Sequence, residues 1–207
     1  DSLIIIFARQ PIIGQVKTRL IPVLGELGAT QLYTRLLDHA INNVLAAKIC
    51  PLEICITPES DMDYFFSQYN RQKLTLSRQS QGDLGDRMYQ AMHLALQNYS
   101  KVILIGSDCP FISRAVLVQS VTTLNNHDMV FSPASDGGYV LIGAKNISAA
   151  VFENIQWSSE HVMSQSRQRL SAEQISWKEL SVQHDIDVAA DLNYLPDVLR
   201  YGILPDK

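Results

Sequence analysis

Leu3-Ile4-Ile5-Ile6-Phe7 is an unbroken apolar run, and Ala8-Arg9-Gln10-Pro11-Ile12-Ile13-Gly14-Gln15-Val16-Lys17-Thr18-Arg19-Leu20 follows it directly. A segment apolar on both alternations predicts a strand covered on both faces, as at the centre of a parallel sheet. Glu53–Thr57 and Lys101–Gly106 read the same way, and Lys73–Ser77, Asp128–Ser132, Tyr139–Gly143 and Leu180–Gln183 supply further strands. Between them Leu, Ala and Val recur at helical spacing over Ala29–Ala47, Ser60–Tyr69, Leu84–Tyr99, Ser113–Asn125, Glu160–Leu170 and Ala189–Tyr201. Alternating strands and helices imply right-handed crossovers and a largely parallel sheet with helices on both faces. Neither a repeat nor a low-complexity linker cuts the chain, so one continuous α/β domain over residues 1–207 is expected.

Composition narrows the partners. A net charge of -4, with no Lys/Arg-rich run, provides no footprint for nucleic acid or an anionic membrane surface, which leaves small-molecule chemistry. Leu3–Ala8 is too short to span a bilayer and no basic segment precedes it, so a cytoplasmic location is expected. Cys50, Cys55 and Cys109 lack metal-type spacing and read as reduced thiols in or near the core.

In sheets of this kind ligands sit beyond the carboxyl ends of the strands, so chemistry is sought there. After the first strand come Arg9, Lys17 and Arg19 with Gly14 among them. Gly14 permits a turn with free N–H groups, Lys17 is a compact charge, and each arginine can fork onto phosphate oxygens. The charge pattern fits an anion site or a solvated turn, and it is neither a Walker loop nor a dinucleotide fingerprint. Beyond Lys101–Gly106, Asp108 stands where a buried strand stops; it suits either a divalent cation or a turn before the helix that Pro110 and Ser113 announce. His184-Asp185-Ile186-Asp187, followed by Asp191, is a second acidic cluster: Asp187 could cap the last helix or reach the same metal.

Three further segments complete the candidates. Ser132-Pro133-Ala134-Ser135-Asp136-Gly137-Gly138-Tyr139 is either a ligand-contacting turn or a plain hairpin, since Asp-Gly is a strong turn signal. Gln81-Gly82-Asp83-Leu84-Gly85-Asp86-Arg87-Met88 opens a helix and forms either a lip of a nucleotide pocket or a cap built on Asp83. Trp157 and Ser158 could line an acceptor pocket, or Trp157 could close the edge of the core.

Taken together and in order, Phe7-Ala8-Arg9-x-Pro11-x-x-Gly14-x-Val16-Lys17-Thr18-Arg19-Leu20, Gly82-Asp83-Leu84-Gly85-x-Arg87-Met88, Gly106-Ser107-Asp108-Cys109-Pro110, Asp136-Gly137-Gly138-Tyr139-x-Leu141-Ile142-Gly143 and Asp185-Ile186-Asp187-x-x-x-Asp191-Leu192 resemble one family. It is the nucleotide-diphospho-sugar transferase-like group often labelled arsenosugar-biosynthesis-associated glycosyltransferases, related to phospholactate guanylyltransferase and molybdenum-cofactor nucleotidyltransferases. The resemblance implies a GT-A type, three-layer α/β/α sandwich with a mixed, mainly parallel sheet, in place of the all-parallel sheet that periodicity suggests. It implies a nucleotide site at Ala8, Arg9, Gly14, Lys17, Thr18, Arg19, Gly82, Asp83, Gly85 and Arg87. Mg²⁺ or Mn²⁺ is expected on Asp108 and Asp187, with an acceptor at Gly137, Gly138, Tyr139 and Trp157. Many relatives carry Lys where this chain has Arg9, which keeps the charge and alters the geometry.

The expected activity is metal-assisted transfer of a glycosyl group from a nucleoside diphosphate sugar to a small acceptor, with Lys17 and Arg19 stabilising the leaving diphosphate and Asp136 placed as general base. Asp108, Lys17 and Asp136 are the expected catalytic residues. The alternatives are nucleotidyl transfer from a nucleoside triphosphate to a phosphorylated acceptor, and a nucleotide-sugar sensor without catalysis.

Overall fold

The structure, a computed structural model, describes residues 1–203 of the chain. Its strands are β1 (Ser2–Ala8), β2 (Leu52–Ile56), β3 (Leu74–Arg78), β4 (Lys101–Gly106), β5 (Met129–Pro133), β6 (Tyr139–Ala144) and β7 (Trp177–Glu179). The helices are α1 (Ile21–Ala47), α2 (Met62–Tyr69), α3 (Leu84–Ala95), α4 (Arg114–Thr123), α5 (Val162–Ala172) and α6 (Asp197–Arg200). All seven strands form one sheet in the order β3-β2-β1-β4-β6-β5-β7. Every neighbouring pair is parallel except those of β6, which runs antiparallel to both β4 and β5. The mixed, mainly parallel sheet implied by the family resemblance is therefore the observed one. The short Ala134–Gly138 turn joins β5 to β6 as a hairpin, and a connection of that length cannot make the crossover that parallel strands require.

The two-residue period of β1 divides the core. Ile4, Ile6 and Ala8 face one side with Ile54, Ile103 and Val130, under α1, α2 and α4. Leu3 and Ile5 face the other with Val102, Leu104 and Phe131, under α3 and α5. A third cluster seats Ile186, Leu192, Leu195 and Leu199 on Leu20, Leu32 and Leu36, docking the C-terminal segment against α1. Cys55 and Cys109 are buried, Cys50 is half-buried, and all three are free thiols, as the spacing suggests. No helix among the described residues is long and apolar enough to cross a membrane.

Three elements differ from the periodicity. The last strand is Trp177–Glu179 rather than Leu180–Gln183, because its register is set by Met129–Phe131. Leu180–Gln183 continues past it with single bonds from Leu180 N to Phe131 O and Gln183 N to Pro133 O. The expected Ala189–Tyr201 helix is a 3₁₀ turn over Ala189–Asn193 followed by the four-residue α6, divided where Pro196 removes an N–H and biases Leu195 away from helical backbone. Helix α1 begins eight residues earlier than its periodicity, with Pro22 in the first turn and a break at Gly25, whose φ is +70°.

Gly143 sits in β6 between Ile103 of β4 and Val130 of β5. A Cβ there would lie 2.5 Å from Ile103 Cδ1 and 2.7 Å from Val130 Cγ1, so the two flanking side chains already fill its place. Gly143→Val is expected to lower unfolding free energy by about 1–3 kcal/mol through overpacking, read from urea denaturation midpoints.

Candidate active site

Beyond the carboxyl ends of β1 and β4 lies a cleft of about 560 Å³. Of the residues singled out in the sequence, Ala8, Arg9, Lys17, Thr18, Arg19, Arg87, Asp108, Asp136, Gly138, Tyr139, Trp157 and Asp187 line it. Segments from both halves of the chain thus converge at the place the strand-end rule indicates.

Its charged centre is Lys17. The side chain is only 5% exposed, and its Nζ donates to Asp108 Oδ2 at 3.0 Å and to Asp187 Oδ1 at 3.4 Å. Arg19, at the rim and 65% exposed, donates to Asp187 Oδ2 at 2.7 Å. Burial alone would lower the Lys17 pKa, but the two carboxylates outweigh it and hold the ammonium above its ordinary value. The Lys17 backbone adopts the left-handed region at φ 48°, ψ 43°, where an L residue is disfavoured, and turns the chain into the 3₁₀ segment Thr18–Leu20. Two of the three loop cations expected to hold phosphate, Lys17 and Arg19, are therefore paired with the two acids expected to hold metal.

Backbone contacts set this meeting. Ile186 N donates to Asp108 O at 3.1 Å, which lays the 185–187 segment against the end of β4. Asp191 Oδ2 accepts from Asp187 N at 2.9 Å and Val188 N at 2.7 Å, fixing the turn that carries Asp187. On the other side, the hydroxyl of buried Tyr33 accepts from Arg9 N at 3.0 Å, donates to Arg9 O at 3.2 Å and lies 3.3 Å from the Ser107 hydroxyl, which donates to it. One side chain of α1 thereby links the ends of β1 and β4.

The remaining segments form the walls. Asp136 is exposed, with Oδ1 accepting from Gly138 N at 2.9 Å in a tight turn. That turn is held to the start of α5: Met163 N donates to Gly137 O at 2.9 Å. Gly137 has φ +91°, and a Cβ would fall 2.2 Å from Glu160 O, so both backbone angle and space require glycine. Trp157 both lines the cleft and packs on α3, where a Cβ on Gly85 would meet its ring at 2.6 Å. Gly14, Gly82, Asp83, Gly85 and Gly137 do not line the cleft but shape its borders. Asp83 caps α3, its Oδ1 accepting from Asp86 N at 2.9 Å while Asp86 Oδ2 accepts from Asp83 N at 3.1 Å.

Four cations (Arg9, Lys17, Arg19, Arg87) face four carboxylates (Asp108, Asp136, Asp185, Asp187) across the cleft. Among the described residues Arg9 and Arg87 pair with no carboxylate within 4.0 Å. Burial, then the carboxylates of Asp108 and Asp136, push the Asp185 carboxyl up to about 6. Asp108 and Asp187 suit a hard divalent cation, for both are oxygen donors that reach a common point, now marked by the Lys17 ammonium. No group of three or more His, Cys, Asp or Glu side chains among the described residues is set to hold a metal. Such an ion would draw its other ligands from water and substrate phosphates, as magnesium commonly does.

Tyr33, Thr57, Gln79 and Asp185 also border the cleft. Thr57 and Gln79 directly follow β2 and β3, so the strand-end rule would have found them. Tyr33 gives no such signal, because it sits within an apolar helical pattern.

The fold is that of nucleotide-diphospho-sugar transferase-like α/β proteins. The chain is 31% identical to a protein from Desulfovibrio desulfuricans G20 provisionally described as a nucleotide-diphospho-sugar transferase, with a TM-score of 0.87 over 97% of this chain and 88% of that one. A nucleotidyl transferase from Methanothermobacter shares the fold at 11% identity, with a TM-score of 0.66 over 96% of this chain and 97% of the other. A cytidylyltransferase from Leptospira borgpetersenii serovar Hardjo-bovis does so at 16% identity, with a TM-score of 0.62 over 95% of this chain and 88% of the other. No curated protein matches in sequence. Residues 40–159 match the family described as "Uncharacterized protein conserved in bacteria (DUF2064)", and the chain belongs to that family.

Tyr33→Phe removes one hydroxyl from three contacts and leaves Arg9 N–H without its partner. A loss of about 1–2 kcal/mol in stability is expected, measurable by urea denaturation of the ligand-free protein.

Proposed function

We propose that this chain is a transferase acting on an activated nucleotide, and that it moves a glycosyl group from a nucleoside diphosphate sugar to a small acceptor. The observation that carries the reading is the convergence of Asp108 and Asp187 with two loop cations at the mouth of the sheet. A diphosphate entering a cleft with four positive and four negative side chains leaves an excess of negative charge. Mg²⁺ or Mn²⁺ held by Asp108 and Asp187 would supply that balance and Lewis-acid stabilisation of the phosphate oxygens. A catalytically idle sensor has little use for paired carboxylates beside a polyanion.

The side chains divide the work. Lys17 and Arg19, facing the phosphates, stabilise the charge that develops on the leaving diphosphate as the bond to sugar C1 breaks. Thr18 and the backbone around Ala8, with the Arg9 guanidinium, bind the same group, while Arg87 extends the cationic wall. Asp136 uses one carboxylate oxygen in its own turn, which leaves the other to take the acceptor hydroxyl proton. Gly138, Tyr139 and Trp157, which line the cleft beside Asp136, form the acceptor side in this reading.

Arg9 and Arg87 favour a second reading. Two cleft arginines without carboxylate partners suit the further phosphate of a nucleoside triphosphate, as in nucleotidyl transfer to a phosphorylated acceptor. That chemistry needs no proton acceptor, because a phosphate nucleophile is already ionised.

A thermal-shift series separates the two. Nucleotide sugars and nucleoside triphosphates are each added with and without Mn²⁺, since a ligand of the native state raises its midpoint. Glycosyl transfer predicts the larger shift with a nucleotide sugar; a larger shift with triphosphates transfers the assignment to nucleotidyl transfer. Asp108→Asn is expected to remove most of the Mn²⁺-dependent part of the shift, and an unchanged Mn²⁺ effect would show that Asp108 holds no metal.

A further inference from the structure

We propose that Lys17 is the stand-in cation of the metal site: it occupies the meeting point of Asp108 and Asp187 until nucleotide phosphates draw it away, so that metal enters with the nucleotide rather than before it. This rests on the metal assignment of the preceding section and adds the order in which the site fills.

The geometry argues for it. Both carboxylates turn toward one Nζ, at 3.0 Å and 3.4 Å. A divalent ion holds carboxylate oxygens at roughly 2.1 Å, so metal on the same pair needs the oxygens to close in by about 1 Å and the ammonium to leave. Two cations cannot share that point. Arg19 does not take the role, since it is exposed and touches only the outer oxygen of Asp187. The Lys17 side chain is buried there, next to the buried Val16, whereas the polar neighbours Gln15, Thr18 and Arg19 are exposed.

Leaving the carboxylates exposes Lys17 to two costs, an unpaired ammonium and two unpaired acids. Nucleotide and metal together remove both: phosphate oxygens accept the ammonium, and the divalent ion takes the carboxylates. Neither ligand alone does so. The two therefore bind with positive coupling, and by linkage each raises the affinity of the other by the same factor.

Lys17→Met keeps the length and apolar stem and deletes the charge. Mn²⁺ affinity is measured by calorimetry on wild type, Lys17→Met and Lys17→Met/Asp108→Asn, without nucleotide and then with a nucleoside diphosphate. Circular dichroism confirms that each variant is folded. Wild type is expected to bind Mn²⁺ weakly alone and about tenfold or more tightly with nucleotide. Lys17→Met is expected to bind Mn²⁺ alone at least tenfold more tightly than wild type, to lose that gain with Asp108→Asn, and to show reduced coupling to the diphosphate. If Lys17→Met gains no Mn²⁺ affinity while wild type still couples metal to nucleotide, the stand-in role is wrong and the metal site stands. If no protein binds Mn²⁺ in either condition, the metal assignment fails and takes this inference with it. Should Lys17→Met misfold, Lys17→Gln serves as the second neutral variant under the same criteria.

Discussion

A single ammonium group shared by two carboxylates organises the functional end of this molecule. Lys17 comes from the loop after β1, Asp108 from the end of β4 and Asp187 from the C-terminal segment, at sequence separations of 91 and 170 residues. A lysine side chain as buried as this one requires partners, because an unpaired charge in such a place costs several kcal/mol. The strand end and the late segment provide those partners, while Val16 and Leu20 anchor the same loop in the core. The rest of the chain provides the means: Ile186 N on Asp108 O, Asp191 under the Asp187 turn, Ile186 and Leu192 packed on α1, and Tyr33 joining the ends of β1 and β4.

The same interaction sets the electrostatic character of the cleft. The loop cations are not simply free to receive phosphate, because the acids partly satisfy them in advance. Four cations and four carboxylates leave the cleft balanced in formal charge. Among the described residues Arg9, Arg87, Asp136 and Asp185 form no ion pair within 4.0 Å, and the planar forks of the two arginines suit phosphate oxygens. The opposite wall is built differently. Gly137 and Gly85 allow the Asp136 turn to lie on the start of α5 and the Trp157 ring to lie on α3, so this wall is shaped by close backbone approach rather than by charge.

Much of the fold was legible because its strands are read by chemistry that is local. The apolar run of β1 and the Lys101–Gly106 run of β4 announce their own burial, and both are central strands. Asp83 and Ser113 announce the starts of α3 and α4 through their capping oxygens. Legibility failed where an element depends on a partner. Trp177–Glu179 is a strand because β5 offers it an edge, and nothing in those three residues displays a period. The final helix is divided because Pro196 interrupts a pattern that otherwise satisfies helical spacing. Tyr33 could not be separated from the apolar face of α1, for its role lies in a hydroxyl that reaches strand ends far along the chain.

By itself, the sequence determined that strands and helices alternate, and that charged residues of both signs collect just beyond the strand ends. Those properties are local: burial on both faces makes an apolar run, and a loop that must turn calls for glycine. Tertiary structure decided that β6 runs against its neighbours, that Gly14, Gly82, Asp83, Gly85 and Gly137 support the cleft rather than line it, and that Lys17 sits between Asp108 and Asp187. Pairing across 91 and 170 residues leaves no period or motif behind, because the attraction of a charge for its partner depends on distance in space and on exclusion of water, both of which exist only after the sheet has formed.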